Sequence, residues 1–147
     1  MKVEEFRKNI KAGSKVVADG QEFDVEQVVK FRFDDGNFYI KCFLSDGFVL
    51  ADDSNDDFFV LVKEIKNDIS EPFPESLEYD GKKFNFLFEA HAVAEETEGK
   101  EIFKFGEGER FWDYESEDGS YLSLGIHDQT GERQDFYGKT IEEVEVV

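Results

Sequence analysis

Alternation of apolar and polar residues runs through most of this chain and predicts β-strands rather than helices. From Lys15 onward, apolar side chains recur at every second position, which is the period of a strand with one buried face. The N-terminus departs from this period, because Val3, Phe6 and Ile10 are spaced as on one face of a helix. The pattern therefore predicts an all-β protein with a short N-terminal helix.

Asp-Gly pairs mark the ends of many predicted strands. This dipeptide favours two-residue hairpin turns, because both of its residues tolerate positive φ. Together with the alternation, the turns predict the following strands: Lys15–Ala18, Glu22–Phe33, Asn37–Ser45, Phe48–Ala51, Asp57–Ile65, Leu77–Tyr79, Lys83–Ala94, Lys100–Phe105, Glu109–Ser116, Tyr121–Ile126, Asp135–Tyr137 and Ile141–Val147. Within one of them, Phe84, Phe86 and Phe88 are expected on the same face. Glu95–Gly99 is expected to be an exposed acidic loop.

Residues 67–75 (NDISEPFPE) contain both prolines of the chain and predict a connector, because proline cannot donate a ladder hydrogen bond. The connector would join two halves, 14–66 and 76–147, of a single domain that spans residues 1–147. The halves resemble each other: VADGQEFDV and YDGKKFNF each show a strand, an Asp-Gly turn and a second strand with Phe three residues after the Gly. We expect two similar antiparallel meanders, as SH3-like half-barrels or a sandwich, related by internal duplication.

The net charge of the chain limits the classes of partner that it is expected to bind. Acidic residues outnumber basic ones 36 to 17, which gives a formal net charge of -19. Nucleic acids and anionic membranes would repel such a chain, because both are bound through clustered Lys and Arg. We expect neither as a partner, and we expect instead a basic protein segment or a small cation such as a polyamine. Solubility is a simpler explanation of the same acidic excess, and the sequence does not separate the two.

Cysteine usage and hydropathy predict a cytoplasmic protein. Cys42 is the single cysteine and excludes an intramolecular disulfide, which favours a reducing compartment. The N-terminus lacks an apolar run of signal-peptide length, and no stretch is long and apolar enough for a membrane-spanning helix. The oligomeric state is left open.

The acidic stretch DDSNDD is the best candidate for a metal site. Its oxygen-bearing side chains and a later glutamate follow the ligand order of an EF-hand loop: Asp53, Asn55, Asp57 and Glu64. The position that needs Gly for a sharp turn holds Phe58 instead, so we expect a solvated turn and no intrinsic metal. One Cys and two His cannot supply a zinc set, and no cofactor is predicted.

No catalytic constellation can be recognised along the chain. His127 and Ser123 are close in sequence, but they fall in a turn and a strand, and no oxyanion-hole signature accompanies them. We therefore assign no catalytic residue and expect a non-catalytic binding or adaptor module. The alternative is an enzyme whose carboxylates act in a cleft that the sequence does not reveal.

One aromatic and acidic hairpin is the candidate ligand surface. Trp112 and Tyr114 share one face of their predicted strand, and the neighbouring strand brings Tyr121 within cross-strand reach. The same hairpin carries the carboxylates Asp113 and Glu115. Aromatic rings beside carboxylates attract cations, so an exposed patch of these residues would bind a Lys- or Arg-rich segment or a polyamine. The competing interpretation is that the Trp and Tyr simply face the core.

Three sequence features carry a family resemblance. They are the opening AGSKVVADGQEFDVEQVV, the stretch FWDY at Phe111–Tyr114, and a strand that ends in Tyr137-Gly138. The stretch YDGKKFNFLFEAHAVAEETEGK adds to these features. Together they extend over most of the chain, which resembles the bacterial and archaeal proteins grouped as domain of unknown function 4178. The resemblance implies an accessory or binding role and transfers no catalytic residue.

Overall fold

The computed structural model describes residues 1–53 and 56–147. Within these residues it contains one α-helix, one 3-10 turn at Ser45–Gly47 and eleven strands: α1 Val3–Asn9, β1 Lys15–Ala18, β2 Gln21–Phe33, β3 Phe38–Leu44, β4 Phe48–Asp53, β5 Phe58–Ile65, β6 Ser76–Tyr79, β7 Lys82–Gly99, β8 Gly108–Glu115, β9 Ser120–His127, β10 Arg133–Ile141 and β11 Val144–Val146. Helix accounts for 7% of the chain, so the prediction of an all-β protein with a short N-terminal helix is confirmed.

Eight of the strands form a closed antiparallel barrel. They pair in the order β2, β3, β4, β5, β10, β9, β8, β7, and β7 pairs again with β2. β2 and β7, of 13 and 18 residues, are long enough to carry a second neighbour on the same edge. β1 and then β11 therefore extend from the start of β2, and β6 pairs with the start of β7. An eight-stranded barrel has an interior just wide enough for side chains or one small ligand.

Each half of the chain forms one meander, β1 to β5 and β6 to β10. The turns that open them have nearly the same geometry, with φ of 52° and 73° at Asp19-Gly20 and of 52° and 71° at Asp80-Gly81. The meanders meet edge to edge, through β5 with β10 and β2 with β7, and build one barrel together. Separate SH3-like half-barrels or a face-to-face sandwich are therefore not confirmed.

Hydrophobic residues are buried in three places. Helix α1 and the outer faces of β1 to β5 enclose a helix-side core, which includes Phe6, Val16, Phe23, Cys42, Leu50 and Phe59. A second cluster lies inside the barrel and includes Val29, Phe31, Phe43, Val62, Phe103 and Phe111. Residues of the connector and β6 cover a third cluster on the opposite outer face, the connector-side core, which includes Phe84, Tyr114, Leu122 and Leu124 with Ile69, Phe73 and Trp112.

The predicted loop Glu95–Gly99 and the predicted strand Lys100–Phe105 are both wrong. The first continues β7, because its residues pair with β2 as far as Gly99 with Gln27. The second is a loop that crosses one end of the barrel. There Phe103 is fully buried, and its backbone N–H and C=O are held by the side chain of Gln27 at 2.9 and 2.7 Å. One deeply buried aromatic residue gave this loop the apolar pattern of a strand.

The predicted common face of Phe84, Phe86 and Phe88 is also wrong. A bulge in β7 inserts Leu87, so that Phe86 pairs with Tyr114 while Phe88 pairs with Asp113. An extra residue moves all later side chains to the other face of a strand. Phe84 and Phe86 therefore lie outside the barrel, and Phe88 lies inside it.

Candidate ligand cavity

The barrel encloses a cavity of about 420 Å³. This volume lies within the range of roughly 300–1,000 Å³ that is typical of small-molecule sites. Its wall combines apolar and polar side chains from all eight barrel strands. The chief ones are Tyr39, Lys41, Val49, Val60, Val62, Glu109, Phe111, Asp113, Tyr121, Ser123, Gln134 and Phe136. The cavity combines this volume with buried polar side chains and is the candidate functional site.

Strand alternation explains why these residues face inward. In β8, Glu109, Phe111 and Asp113 line the cavity, whereas the intervening Trp112 and Tyr114 belong to the connector-side core. The inward residues of β9 include Gly125, which pairs with Phe111 on one side and Gln134 on the other. A side chain does not fit at Gly125, because a Cβ there would lie 2.8 Å from the backbone oxygen of Gln134.

The two ends of the cavity differ in exposure. At one end Phe103 packs against Phe31, with 4.9 Å between ring centroids, and fills the barrel beside His127. At the other end the lining residues Asp35 and Asn37 are exposed, and Phe88 is 39% exposed. The cavity is therefore closed at the Phe103 end and accessible beside the β2–β3 hairpin.

A buried ion pair lies inside the barrel. Lys41 Nζ is 3.3 Å from Glu109 Oε1, and the Tyr39 hydroxyl donates to the same oxygen at 3.1 Å. Both charged side chains are nearly inaccessible, at 6% and 5% exposure. The ammonium also lies 4.7 Å from the centroid of the Phe136 ring, a cation–π distance. Burial, followed by the negative charge of Glu109, raises the pKa of Tyr39, so its hydroxyl stays protonated as a donor.

Asp113 is the second buried acid of the wall. It accepts hydrogen bonds from the Tyr121 hydroxyl and from Ser123 Oγ, the latter at 2.5 Å. Burial raises the pKa of Asp113 to about 6, although these two hydrogen bonds act in the opposite direction and Glu109 adds to the increase. A carboxyl group with this pKa can exchange its proton close to neutral pH.

Gln134 contributes an acceptor with no protein partner. Its side-chain Oε1 is buried, and it is the one buried side-chain polar atom among the described residues that has no hydrogen-bond partner. Buried polar atoms are nearly always satisfied, so each exception calls for an explanation.

Carboxylates predominate over cations around the cavity. Arg7 binds Asp52 through two hydrogen bonds, of 2.7 and 3.1 Å, at the rim. Burial raises the pKa of Asp52, and the contacts with Arg7 oppose this shift. With all groups ionised, the lining contains five carboxylates and two cations, a formal excess of three negative charges: Asp35, Asp52, Asp53, Glu109 and Asp113 against Arg7 and Lys41. The site is electrostatically suited to a cation.

The five residues of the predicted ligand surface do not share one surface. Tyr114 is fully buried in the connector-side core, where its hydroxyl donates to Pro74 O at 2.7 Å. Trp112 is half-buried against Phe73, with 4.8 Å between ring centroids. On the opposite side of the wall, Asp113 and Tyr121 line the cavity.

Glu115, the fifth member of that set, is half-buried at the end of β8. Sequence reasoning also missed most of the cavity residues, among them Tyr39, Lys41, Glu109 and Gln134. A lysine in the middle of the apolar stretch FYIKCFL was the one available signal, because a charge at such a position must be paired when the strand is buried.

The other motifs do not assemble into sites. Ser123 donates to Asp113, whereas His127 Nδ1 accepts from the backbone N–H groups of Gln129 and Thr130, so the serine and this histidine are not joined. The described residues contain no group of three or more His, Cys, Asp or Glu side chains that could hold a metal ion. Of the EF-hand order, Asn55 lies outside the described residues.

Comparisons with known proteins place the chain in a family. Residues 11–143 match the family described as Domain of unknown function (DUF4178). No curated protein and no solved structure matches the chain. Among the described residues, no helix has the length and apolar character needed to cross a membrane. Because the match covers most of the sequence, the chain belongs to the DUF4178 family, as its sequence resemblance predicts.

Proposed function

We propose that this protein is a non-catalytic binding module whose barrel cavity holds a small organic cation, such as a polyamine. The observation that carries the proposal is the cavity itself, in which carboxylates outnumber cations beside aromatic rings. Charge interactions are stronger in such a partly buried site than on the solvated surface. The net charge of -19 adds long-range attraction, which concentrates cations near the protein.

The cavity fits a small ligand better than a protein segment. Apolar wall residues such as Val60, Val62 and Phe136 offer contacts for an alkyl chain, and the acids offer partners for its ammonium groups. A cavity of about 420 Å³ enclosed by eight strands admits at most a side chain of a basic peptide. On the outer face, the connector and β6 cover Tyr114. The interior therefore replaces the hairpin surface as the proposed cation site.

Thermal-shift and calorimetric titrations with putrescine and spermidine test this proposal, with succinate as an anionic control. A ligand that binds only the folded state raises the melting temperature, by an amount that grows with its concentration relative to Kd. We expect Asp113→Asn to weaken polyamine binding by about 10-fold or more, because it removes a buried charge. Asp68→Asn is the matched control, since it is the same substitution at an exposed position of the connector.

Three outcomes count against the proposal. They are the absence of any shift with either polyamine, equal shifts with succinate, and equal weakening by both Asn variants. Binding of a lysine-rich peptide without binding of polyamines would favour an external surface instead.

A carboxylate-dependent enzyme is the second candidate, and one observation favours it. Asp113 is buried in the cavity, its pKa is raised to about 6, and Glu109 lies in the same wall. Groups with such pKa values serve as general acids or bases. Mass spectrometry of a bound ligand after incubation tests this candidate. An enzyme would convert the ligand, and Asp113→Asn would retain some binding while losing conversion.

We also propose that the two halves arose by internal duplication. Beyond the matching Asp-Gly turns, the bulges of β2 and β7 support it, because Val25 and Phe86 each begin a bulge five residues after the turn glycine. The pairing of β2 with β7 has the same symmetry. When each residue is replaced by its counterpart in the other half, the pair of Phe31 with Ala94 becomes the pair of Ala92 with Phe33, which is also present. Superposition of the two meanders tests the proposal, which fails if the turns and bulges do not coincide.

A cytoplasmic location remains part of the proposal. The buried free thiol of Cys42 supports it, because no disulfide of this chain requires an oxidising compartment. Cell fractionation tests the location, and recovery in an exported fraction would contradict it.

A further inference from the structure

One edge of β7 lacks a neighbouring strand over residues 87–91, which we call the open edge. On this side of β7, β6 pairs with it only as far as Asn85, and β2 pairs with it only from Ala92 onward. The reason is that β2 ends at Phe33, where the chain turns back into β3. Between these points, β8 is the only strand in the described part of the chain that pairs with β7.

The backbone of the open edge offers hydrogen-bonding groups to a further strand. The N–H and C=O groups of one strand residue point to one side of the strand, and those of the next residue point to the other side. Ala94 N–H donates to Glu107 O at 2.8 Å, on the side of β8. Pairing with β8 continues without a shift along this part of β7, so the N–H and C=O groups of Glu89 and His91 point to the open edge. Such an edge is a template for the addition of an extended segment as a new strand.

The side chains around the open edge leave it accessible. Phe86, Leu87 and Phe88 are 38%, 44% and 39% exposed, and the next residue, Glu89, is exposed as well. Phe86 and Phe88 lie on opposite faces of β7, so both faces are open to solvent at the same place. Exposed apolar residues that adjoin one another are typical of interaction sites.

The first half of the chain shows that a strand fits at the corresponding position. Counted from the turn glycines Gly20 and Gly81, residues 27–30 of β2 are the counterparts of residues 88–91 of β7. Residues 27–30 pair with residues 96–99, at the end of β7. Because β7 has 18 residues and β2 only 13, the chain supplies this additional pairing to β2 and leaves the counterpart in β7 without it.

Carboxylates predominate around the open edge. Glu89 belongs to it, and Asp34 lies beside it, 2.9 Å from His91 Nδ1. Asp35, in the same turn as Asp34, lines the cavity mouth together with Phe88. Arg110, whose guanidinium is 3.4 Å from Glu89, compensates part of this charge. A segment that carries Lys or Arg residues therefore complements the surroundings of the edge.

A second copy of this chain complements the open edge less well. Two open edges paired about a two-fold axis at Glu89 would place the two Glu89 side chains opposite each other, and like charges at such positions are destabilising. Each copy also carries a formal net charge of -19, which opposes association of two copies.

We propose that the open edge of β7 binds an extended, basic segment of a partner protein as an additional strand. The segment pairs with the backbone of Glu89 and His91, covers Leu87 and Phe88 with apolar side chains, and places its cations beside the surrounding carboxylates. This inference goes beyond the proposed function, because it concerns backbone pairing at the mouth of the barrel and does not require a ligand in the cavity.

A short peptide of alternating lysine and valine, blocked at both ends, is the probe for this site. A peptide of alternating glutamate and valine is the charge control. The Lys–Val peptide with a methyl group on every backbone nitrogen is the hydrogen-bonding control, because it keeps the side chains and charges but has no backbone donor. In calorimetric titrations, the unmodified Lys–Val peptide should bind about 10-fold or more tightly than either control, since only it supplies both backbone pairing and positive charge.

Hydrogen exchange of single amides shows where the peptide binds. In the free protein, the amides of Glu89 and His91 should exchange about 100-fold or more faster than those of Ala90 and Ala92, whose N–H groups point to β8. Saturation with the Lys–Val peptide should slow the two open-edge amides by about 10-fold or more, because they become hydrogen-bonded. The amides of Ala90 and Ala92 provide a control in the same strand.

Two variants of Glu89 separate backbone pairing from charge. Glu89→Pro removes a donor of the open edge and places a ring in the path of an added strand. The barrel should remain folded, because proline is tolerated where the N–H of an edge strand faces solvent. This variant should bind the Lys–Val peptide about 10-fold or more weakly than wild type. Glu89→Ala removes the same carboxylate but keeps the N–H, and it should weaken binding by less than about 3-fold.

Each further outcome decides the matter. Equal binding of the Lys–Val peptide and its N-methylated form would show charge attraction alone and overturn the inference, as would slow exchange of the Glu89 and His91 amides in the free protein. Protection of these amides that grows with protein concentration, in the absence of peptide, would assign the edge to a second copy. If Glu89→Pro does not fold, the N-methylated peptide and the exchange pattern decide alone.

Polyamine titrations of the same protein distinguish this inference from the proposed function. Peptide binding at the open edge without polyamine binding would remove the proposed function and leave the edge site intact. Polyamine binding without peptide binding would remove only the edge site.

Discussion

On the outer face of β8 and β9, Tyr114 and Leu122 are fully buried under the connector, whereas on the inner face of the same strands Glu109 and Asp113 border a cavity. The same alternation of residues builds both faces. On the outer face, apolar side chains pack against a covering segment of the chain. On the inner face, Glu109 is held by an ion pair and Asp113 by hydroxyl groups, beside an open space. This hairpin therefore stabilises the fold with its outer face and carries its charged groups on the inner one.

The two faces should respond differently to substitution. A buried aromatic residue on the outer face contributes about 1.5–3 kcal/mol through its removal from water, and its loss also leaves a cavity. A buried charge on the inner face is costly unless it is paired, so its loss matters mainly through the partner that it leaves behind.

Tyr114→Ala should have the largest effect on stability. Truncation of a fully buried aromatic residue typically costs about 3–5 kcal/mol of the free energy of unfolding. Tyr114→Phe removes only the hydrogen bond to Pro74 O and should cost about 1 kcal/mol. Urea unfolding of both variants measures the difference. A loss below about 1 kcal/mol for the Ala variant would show that the outer face is not a stabilising core.

Breaking the ion pair tests the inner face. Glu109→Leu leaves Lys41 buried without its carboxylate and should cost about 3 kcal/mol. Adding Lys41→Met should restore most of the lost stability, because two apolar residues need no partners. The double-mutant cycle in urea measures this coupling. If the two single changes are additive, the pair is not the reason that these charges are tolerated.

The sequence predicted the outer face better than the inner one, for physical reasons. Short-range signals, namely alternation and Asp-Gly turns, were enough to assign β1 and to locate most other strands within a few residues. Closure of the barrel depends on the pairing of β2 with β7, which joins residues far apart in the chain and leaves no local signature. The inserted Leu87 changed which face of β7 was inward, and alternation alone could not show this.

Local sequence signals were also insufficient to predict the candidate site. The sequence correctly placed Trp112 and Tyr114 on one face of their strand. It could not show which face pointed into the barrel, because both faces of this wall are buried. Gln134 carried no sequence signal at all, since the lack of a partner for its buried Oε1 depends on the fold around it.

Asp113 should make stability depend on pH in a defined direction. Burial raises its pKa in the folded protein to about 6, above the ordinary value of 3.8. The folded state therefore binds this proton more tightly, so the contribution to stability is fully present below about pH 4 and is lost as the pH rises through about 6. Asp113→Asn does not titrate and should gain about 1–3 kcal/mol relative to wild type between these limits. A pH-independent difference between the two proteins would contradict burial of this carboxyl group.

Substitution of His91 should have the smallest effect on stability. This residue lies on the outer surface of the barrel and is the counterpart there of the buried Asp113. Its ring nitrogens lie 2.9 Å from Asp34 Oδ1 and 2.6 Å from Asp128 Oδ2, and these hydrogen bonds, that to Asp34 first, raise its pKa above 6.5. Its contribution to stability is therefore present below about pH 6.5 and lost as the pH rises through the raised value. Because the cluster is partly exposed to solvent, we expect His91→Gln to cost less than about 1 kcal/mol at low pH.

Salt separates the two titrating groups. Roughly 1 M NaCl shortens the Debye length to about 3 Å, so it should remove most of the pH-dependent difference between His91→Gln and wild type. The difference between Asp113→Asn and wild type should persist in the same buffer, because burial rather than a solvated charge pair raises the pKa of Asp113. Urea unfolding at each pH and salt concentration measures the stability difference of each variant from wild type. Equal salt sensitivity of the two differences would mean that water reaches Asp113 as freely as it reaches the outer surface of the barrel.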